Sequence, residues 1–161
     1  MELIRQAVET DVPVMVELSE RKRMEYEKYQ PVFWRKAEDS REKQAPFFRS
    51  QLTKPNVIAL AHEGSEVVDG FVIGVLVASP PVYDPGGLTC LVDDFVVADK
   101  DDWKRIGTAL LNEVKRRALE MGAAQAVVFC GHLDEPKRAV MASLGFSIAT
   151  EVFVKPLGRE E

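Results

Sequence analysis

The sequence predicts a single α/β domain built on a mixed sheet, and three observations support this fold class. The chain of 161 residues has the usual size of one domain, so residues 1–161 are expected to fold as a unit. Apolar runs of strand length alternate with segments of helical periodicity in the order β-α-α-β-β-β-α-β-α-β. A strand–helix–strand unit at the centre of this order predicts a parallel crossover.

The first half of the chain predicts two helices between a short strand and a strand pair. Pro46 lies inside the second helix and is expected to move its start to about Ala45, because proline cannot donate a helical hydrogen bond. A loop at Gly64–Asp69 joins the two strands. The predicted elements are a strand at Leu3–Ala7, a helix from Thr10 or Asp11 to about Lys28, a helix at Arg41–Leu52, and antiparallel strands at Asn56–Ala61 and Gly70–Ser79.

The second half predicts three further strands and two helices. Leu88–Val97 is apolar on both faces, which is typical of a central strand, yet Asp93 and Asp94 place one carboxylate on each face. Such a local inconsistency tends to mark a functional site. The predicted elements are strands at Leu88–Val97, Ala124–Cys130 and Ser147–Lys155, and helices at Trp103–Met121 and Glu135–Leu144.

Composition and charge restrict the possible partners. The formal net charge of −5 argues against nucleic acid, which needs a clustered basic face. Cys90 and Cys130 have no metal-binding or redox spacing and are interpreted as reduced core thiols, so no metal is expected. The sequence starts without a signal-peptide pattern and contains no apolar stretch of about 20 residues, which predicts a cytoplasmic protein without a membrane partner.

Three groups of residues in the second half resemble those of one enzyme family. Asp93–Val97 is an acidic and then hydrophobic strand, Ile106–Leu111 is a glycine turn entering a long helix, and Ala139–Phe146 is a helix that ends in Leu-Gly-Phe. Together they are similar to the GNAT superfamily of acyl-CoA-dependent N-acetyltransferases. The resemblance implies a mostly antiparallel sheet of about six strands and about four helices. In this fold the fourth and fifth strands are parallel and splayed.

The resemblance also implies an activity. A GNAT enzyme moves an acetyl group from acetyl-CoA to an amine by direct attack within a ternary complex, here expected to be a primary amine of a small molecule or peptide. A homodimer is a further implication. Met141 stands where the family often has a tyrosine that protonates the leaving thiolate, and a thioether cannot donate a proton. The alternative is therefore a degenerate acyl-CoA-binding sensor or interaction module, and a flavodoxin-like nucleotide-binding domain ranks a distant third.

The residues expected to bind coenzyme A follow from the family motifs. A free backbone N–H near Val96 or Val97 would bind the thioester oxygen. The helix start around Lys104–Ala109 would bind the pyrophosphate. Lys137 is expected either to reach the adenosine phosphates or to lie solvated at a helix start. The implied cofactor residues are Phe95, Val96, Val97, Trp103, Lys104, Arg105, Ile106, Gly107, Thr108, Ala109, Asp134, Arg138 and Met141.

The same family resemblance implies residues for catalysis and for binding the acceptor. Asp93 is the first candidate for the base that takes a proton from the amine, Asp94 is the second, and His132 is a rival at the rim of the same cleft. The family usually binds its acceptor with the first two helices and their connection. Aromatic residues at Tyr29, Phe33, Trp34 and Tyr83 are the expected acceptor contacts.

Overall fold

The protein folds around a five-stranded sheet in the order β1-β2-β3-β4-β5. The computed structural model describes residues 2–158. Neighbouring strands are antiparallel except for β4 and β5, which are parallel, so the predicted mixed α/β fold and its central crossover are confirmed. The elements are β1 (Leu3–Gln6), α1 (Val12–Tyr29), α2 (Ser40–Leu52), β2 (Val57–Gly64), β3 (Val67–Val77), β4 (Leu88–Val97), α3 (Thr108–Glu120), β5 (Ala123–Val128) and α4 (Glu135–Ser143).

Helices cover both faces of the sheet and create two hydrophobic layers. On one face, α1 and α2 pack against the sheet around the buried side chains of Met15, Phe48 and Phe71. On the other face, α3 and α4 pack around Phe95 and Leu110. A central strand covered on both sides is buried along most of its length, which explains the apolar run in β4.

An extra residue in β4 separates the ends of β4 and β5. In the pairing with β3, Val92 lies opposite Gly74 but Phe95 lies opposite Val72, so two β4 residues face one β3 residue. This is a β-bulge at Asp93 and Asp94, and bulges bend the strand that carries them. Pairing between β4 and β5 ends with Val92, whereas β4 continues along β3 to Val97. The gap beyond Val92 is called the β4/β5 opening.

The long central helix begins earlier and less regularly than the sequence predicts. A 3₁₀ turn at Lys100–Asp102 leads into a π-helical turn at Trp103–Gly107, and regular α-helix follows in α3. The Asp99 carboxylate accepts a hydrogen bond from the Asp101 N–H at 2.9 Å and caps this helical run. Asp99 therefore sets the start of the run ahead of Trp103.

Two other boundaries differ from the prediction. The loop expected at Gly64–Asp69 is a two-residue turn, in which Ser65 and Glu66 have φ values of 51° and 66°, so the strands on either side are longer. Pro46 does not delay the second helix, which begins at Ser40 and is held to the core by its buried face. Packing of that face outweighs the missing hydrogen bond.

The predicted final strand at Ser147–Lys155 is wrong for the described chain. Residues 147–158 are exposed and form no strand pairing with the sheet. The alternation of apolar residues is typical of a strand, but the pattern does not specify which edge it would join. None of the described helices is long and apolar enough to cross a membrane.

Candidate functional site

The β4/β5 opening exposes backbone groups that have no strand to pair with. The Phe95 carbonyl accepts a long hydrogen bond of 3.5 Å from the Nζ of Lys137 on α4. The amide and carbonyl of one residue in a strand point to the same side, so the Phe95 N–H also faces the opening. Val97 shares this side, whereas Val96 points towards β3. The amides predicted to bind a thioester oxygen were those of Val96 and Val97. Of these, only the Val97 amide faces the opening, and the Phe95 amide faces it as well.

Lys137 is a fully buried lysine at this opening. Its ammonium group lies 5.4 Å from the centre of the Phe95 ring and 5.8 Å from that of Trp103. None of the carboxylates in residues 2–158 forms an ion pair with it. Burial lowers the pKa of Lys137 to about 7, and the nearby positive charge of Lys22 contributes to the decrease.

The sequence interpretation of Lys137 is therefore wrong. It predicted either a solvated side chain or a contact with the adenosine phosphates of the cofactor, and a fully buried side chain provides neither. Lys137 is the third residue of α4, a position that is normally exposed to solvent. Here the first turn of α4 packs directly onto β4 and buries the side chain. Asp134 lies three residues earlier at the start of the same helix, so the local sequence offers Lys137 a nearby carboxylate and gives no signal of its burial.

The two aspartates of the bulge lie in different environments. Asp93 is exposed, and its backbone carbonyl accepts a hydrogen bond of 3.5 Å from the Nζ of Lys22 on α1. Asp94 is partly buried, and burial raises the pKa of its carboxyl group. Lys22 opposes this increase, and the negative charge of Asp93 adds to it. A carboxylate with a raised pKa is a better proton acceptor near neutral pH.

The loop after β5 is tied to α1 by a buried hydrogen-bond network. The Tyr26 hydroxyl donates to Oδ2 of Asp134 at 2.5 Å and accepts from the Gly131 N–H at 3.2 Å. Burial raises the pKa of Tyr26, and the charge of Asp134 adds to this effect. The predicted base His132 lies in the same loop but is exposed, and both its Nδ1 and its carbonyl accept hydrogen bonds from Arg138.

Three of the four predicted acceptor residues form one aromatic cluster with Tyr26. The Trp34 ring lies 4.6 Å from that of Tyr26, Phe33 lies 5.2 Å from Trp34, and Tyr29 lies 5.6 Å from Tyr26. The cluster contacts Gly131, where an added Cβ would lie 2.9 Å from Tyr26. It therefore adjoins the same loop that carries Asp134.

Tyr83 does not join this cluster. It is 72% exposed on the loop before β4, at the opposite end of that strand from the β4/β5 opening. Phe95 lies seven residue steps beyond Leu88, which corresponds to about 23 Å along the strand. The sequence correctly predicted that Tyr83 lies in a loop before β4. It gave no information about the distance between that loop and the other predicted acceptor residues.

A buried carboxylate fixes the segment that carries the aromatic cluster. Glu20 on α1 accepts hydrogen bonds from Arg23, from Ser40 at the start of α2, and from Lys36 in the connection between the helices, at 2.7–2.9 Å. Burial opposes ionisation of Glu20, but these three donors outweigh it and lower its pKa to about 2. The connection is therefore anchored on both sides of the cluster.

The predicted pyrophosphate site is arranged differently from the expectation. Because the helical run begins at Lys100, the amides of Lys104–Ala109 lie within the run and not at its first turn. The Trp103 ring packs on Phe95 at 4.9 Å, and an added Cβ at Gly107 would lie 2.6 Å from the Trp103 ring.

The remaining implied cofactor residues divide between core and surface. Arg105 is half-exposed and forms ion pairs with Glu2 and Asp102. Met141 is buried in the core layer under α4. Of the other positions, Ile106 is buried, Thr108 and Ala109 are half-buried, and Lys104 is exposed.

Solved structures provide the comparison with known proteins. No protein-family model matches the sequence, and no curated protein matches it. A mutant of the BH1408 protein from Bacillus halodurans aligns with 96% of this chain and 99% of its own, at 16% identity and a TM-score of 0.84. A predicted acetyltransferase from Clostridium acetobutylicum, crystallised with acetyl-CoA, covers 97% and 96% at 16% identity and a TM-score of 0.75. A GCN5-related N-acetyltransferase from Ralstonia eutropha JMP134 covers 98% and 99% at 20% identity and a TM-score of 0.73.

The chain has the GNAT fold. The structural similarity extends over nearly the whole length of this chain and of each solved structure, and it agrees with the fold that the sequence resemblance implied. At these identities it is a similarity of fold, and a fold can carry more than one activity.

Proposed function

We propose that the protein is an N-acetyltransferase that uses acetyl-CoA and acts on a primary amine of a small molecule or peptide. The observation that supports this most strongly is the β4/β5 opening, where the backbone of Phe95 faces a gap between two parallel strands. Asp94, a partly buried carboxylate, precedes Phe95 in β4, and the buried ammonium group of Lys137 contacts the Phe95 carbonyl. These are the two kinds of group that acyl transfer to an amine requires.

The residues around the opening fit acetyl-CoA. The Phe95 N–H faces the opening at the edge of β4, and a thioester oxygen that becomes negatively charged during attack is a suitable acceptor for it. The apolar side chains of Phe95, Met141 and Val128 belong to the core layer next to the opening, and an apolar environment suits the uncharged arm of the cofactor. When bound, acetyl-CoA supplies an activated acyl group whose leaving group is a thiolate.

Asp94 is proposed as the base that takes a proton from the amine. Its raised pKa and partial burial favour proton transfer, and its position in the bulge places it beside the open edge of β4. Asp93, the first candidate from sequence, lies next to it but is exposed. His132 is held by Arg138 and is a weaker candidate for the same role.

Lys137 is proposed to protonate the leaving thiolate. Met141 cannot donate a proton, but an ammonium group with a pKa of about 7 can do so at neutral pH. Its Nζ is already within reach of the Phe95 carbonyl at the edge of the opening. The aromatic cluster around Trp34 is proposed to hold the acceptor, since it adjoins the loop between β5 and α4.

Binding and turnover test the proposal separately. Isothermal titration of acetyl-CoA, with desulfo-CoA and ATP as comparators, should give micromolar binding of acetyl-CoA and none of ATP. Release of free thiol is then measured across a panel of primary amines. Asp94→Asn and Lys137→Met should lower turnover by at least tenfold with little change in binding, while Asp93→Asn serves as the matched control.

Each result has a defined meaning. Absence of acetyl-CoA binding contradicts the proposal. Binding without thiol release for any amine supports the alternative of an acyl-CoA-binding module. Equal losses in Asp93→Asn and Asp94→Asn would assign the effect to the charge of the bulge and not to a base at Asp94.

A further inference from the structure

A cavity of about 420 Å³ lies between α1, α2 and the connection that joins them. This volume suits a small molecule. Four of the lining residues are basic, and none of the described residues that line the cavity carries a carboxylate. The basic residues are Arg23, Arg35, Lys36 and Lys43. The cavity is therefore a positive region in a chain whose formal net charge is −5.

The buried carboxylate of Glu20 holds two of these basic residues in place. Glu20 is 1% exposed and forms ion pairs with Arg23 at 2.9 Å and with Lys36 at 2.8 Å. The carboxylate of Glu27 accepts a hydrogen bond of 2.5 Å from the backbone N–H of Lys36. Two cations are thus fixed at the wall of the cavity before any ligand binds, which lowers the cost of binding an anion there.

The other two basic residues leave positive charge without a partner. Lys43 forms an ion pair with Asp39 at 3.1 Å. Arg35 is exposed and forms no ion pair within residues 2–158. Four basic residues therefore meet three carboxylates, and the excess of about one positive charge matches a ligand with a single negative charge.

Aromatic rings line the same cavity. Phe33 is 52% exposed and Phe47 on α2 is 46% exposed, and Trp34 lies between them in the lining. Large aromatic side chains that remain open to solvent at a concave surface are typical of a binding site for an apolar or aromatic group. The cavity therefore combines a positive region with an apolar wall.

The cavity adjoins the acceptor side of the β4/β5 opening. Trp34 belongs both to its lining and to the aromatic cluster. Lys22, which precedes Arg23 on α1, donates a hydrogen bond of 3.5 Å to the Asp93 carbonyl. Burial raises the pKa of Asp94, and the positive charge of Arg23 is among the effects that oppose this increase, so the two side chains are close enough to interact.

We propose that this cavity binds the carboxylate of an acceptor that has a primary amine at one end, an apolar body and a carboxylate at the other end. Arg35 binds the carboxylate together with Arg23 and Lys36, since a guanidinium group matches the two oxygens of a carboxylate. The body lies against Trp34 and Phe47, and the amine faces the β4/β5 opening. The direction of the amine rests on the proposed acetyl transfer, whereas binding of the carboxylate does not.

Two ligands of nearly the same shape test the preference for a negative charge. 4-(Aminomethyl)benzoate and 4-(aminomethyl)benzamide are titrated into the full chain by calorimetry, alone and with saturating desulfo-CoA. The benzoate should bind at least tenfold more tightly than the benzamide. Arg35→Gln should reduce this preference at least threefold with unchanged circular dichroism, because Arg35 is exposed. Arg21→Gln, at an exposed arginine of α1 outside the lining, is the matched control and should keep the preference.

The outcomes separate this inference from the proposed acetyl transfer. Failure of the benzoate to bind, equal binding of the two ligands, or a preference that Arg35→Gln leaves unchanged overturns the carboxylate site. Tighter binding of the corresponding phosphonate overturns the assignment of a carboxylate. Thiol release from acetyl-CoA is measured with the same amines. Selective binding of the benzoate without thiol release supports the carboxylate site and contradicts acetyl transfer, whereas thiol release without selective binding does the reverse.

Discussion

Replacing Lys137 with methionine tests how a buried ammonium group affects the stability of the fold. Methionine keeps the length and the apolar stem of the side chain but removes the charge. Because the pKa of Lys137 is about 7 in the folded protein and 10.5 ordinarily, the unfolded chain binds the proton more tightly. Unfolding therefore takes up a proton between these values, and the wild-type protein becomes more stable as the pH rises from about 7 to about 10.

The size of the effect follows from the difference in pKa. A decrease from 10.5 to about 7 corresponds to a cost of roughly 5 kcal/mol for the protonated group, as an upper limit. Loss of the hydrogen bond to the Phe95 carbonyl offsets about 1–3 kcal/mol of the gain on substitution. Lys137→Met should therefore be more stable than wild type by roughly 2–4 kcal/mol near pH 7. This advantage should disappear by about pH 10.

Urea unfolding followed by circular dichroism measures this difference across the pH range. Other titrating groups affect wild type and variant alike, so the difference between the two curves isolates Lys137. Lys28→Met, at a lysine whose side chain is 72% exposed, is the matched control and should follow wild type at every pH. The account would be refuted if the plots of unfolding free energy against pH ran parallel for wild type and Lys137→Met, or if the variant were less stable at every pH. Either result would show that the ammonium group is not buried with a lowered pKa.

Three further substitutions test other parts of the site. Glu20→Gln should lower the free energy of unfolding by about 3 kcal/mol at pH 7, because three hydrogen-bond donors lose their negatively charged, buried acceptor. Since the pKa of Glu20 is lowered to about 2, this difference should shrink as the pH falls from 4.5 towards 2, and a pH-independent difference in urea unfolding would contradict it. Tyr26→Phe should cost about 2 kcal/mol, seen as a lower melting temperature, because Asp134 loses its buried donor; an unchanged melting temperature would contradict the network. Gly107→Ala should cost about 2 kcal/mol in urea unfolding through contact with the Trp103 ring, whereas a neutral result would show that the ring moves freely.

Local patterns in the sequence were sufficient for most of the fold. The apolar run of Leu88–Val97 predicted a central strand because both faces of that strand are covered, and the crossover followed from the order of elements. The pair Asp93 and Asp94 drew attention to the region now proposed as the functional site, because two carboxylates do not fit a central strand. The bulge that separates their environments depends on pairing with β3, which no local pattern contains.

Features that depend on contacts between distant segments were not predictable. Lys137 has an ordinary position near the start of a helix, and its burial arises only when α4 docks on Phe95. Asp99 begins the helical run ahead of Trp103 by capping it, although the sequence pattern predicted a start at Trp103. The strand pattern of residues 147–155 is present in the sequence, but a pattern of this kind does not identify a partner strand.

The Phe95 amide provides the most direct test of the proposed acetyl-CoA site. Two-dimensional ¹H–¹⁵N NMR spectra are recorded with acetyl-CoA and with CoA, which differ only in the acetyl group. If the thioester lies at the β4/β5 opening, the amide signals of Phe95 and Val97 should differ between the two complexes, while those of the outer edge of β5 should not. Identical spectra at β4, or differences confined to other regions, would contradict the proposed site.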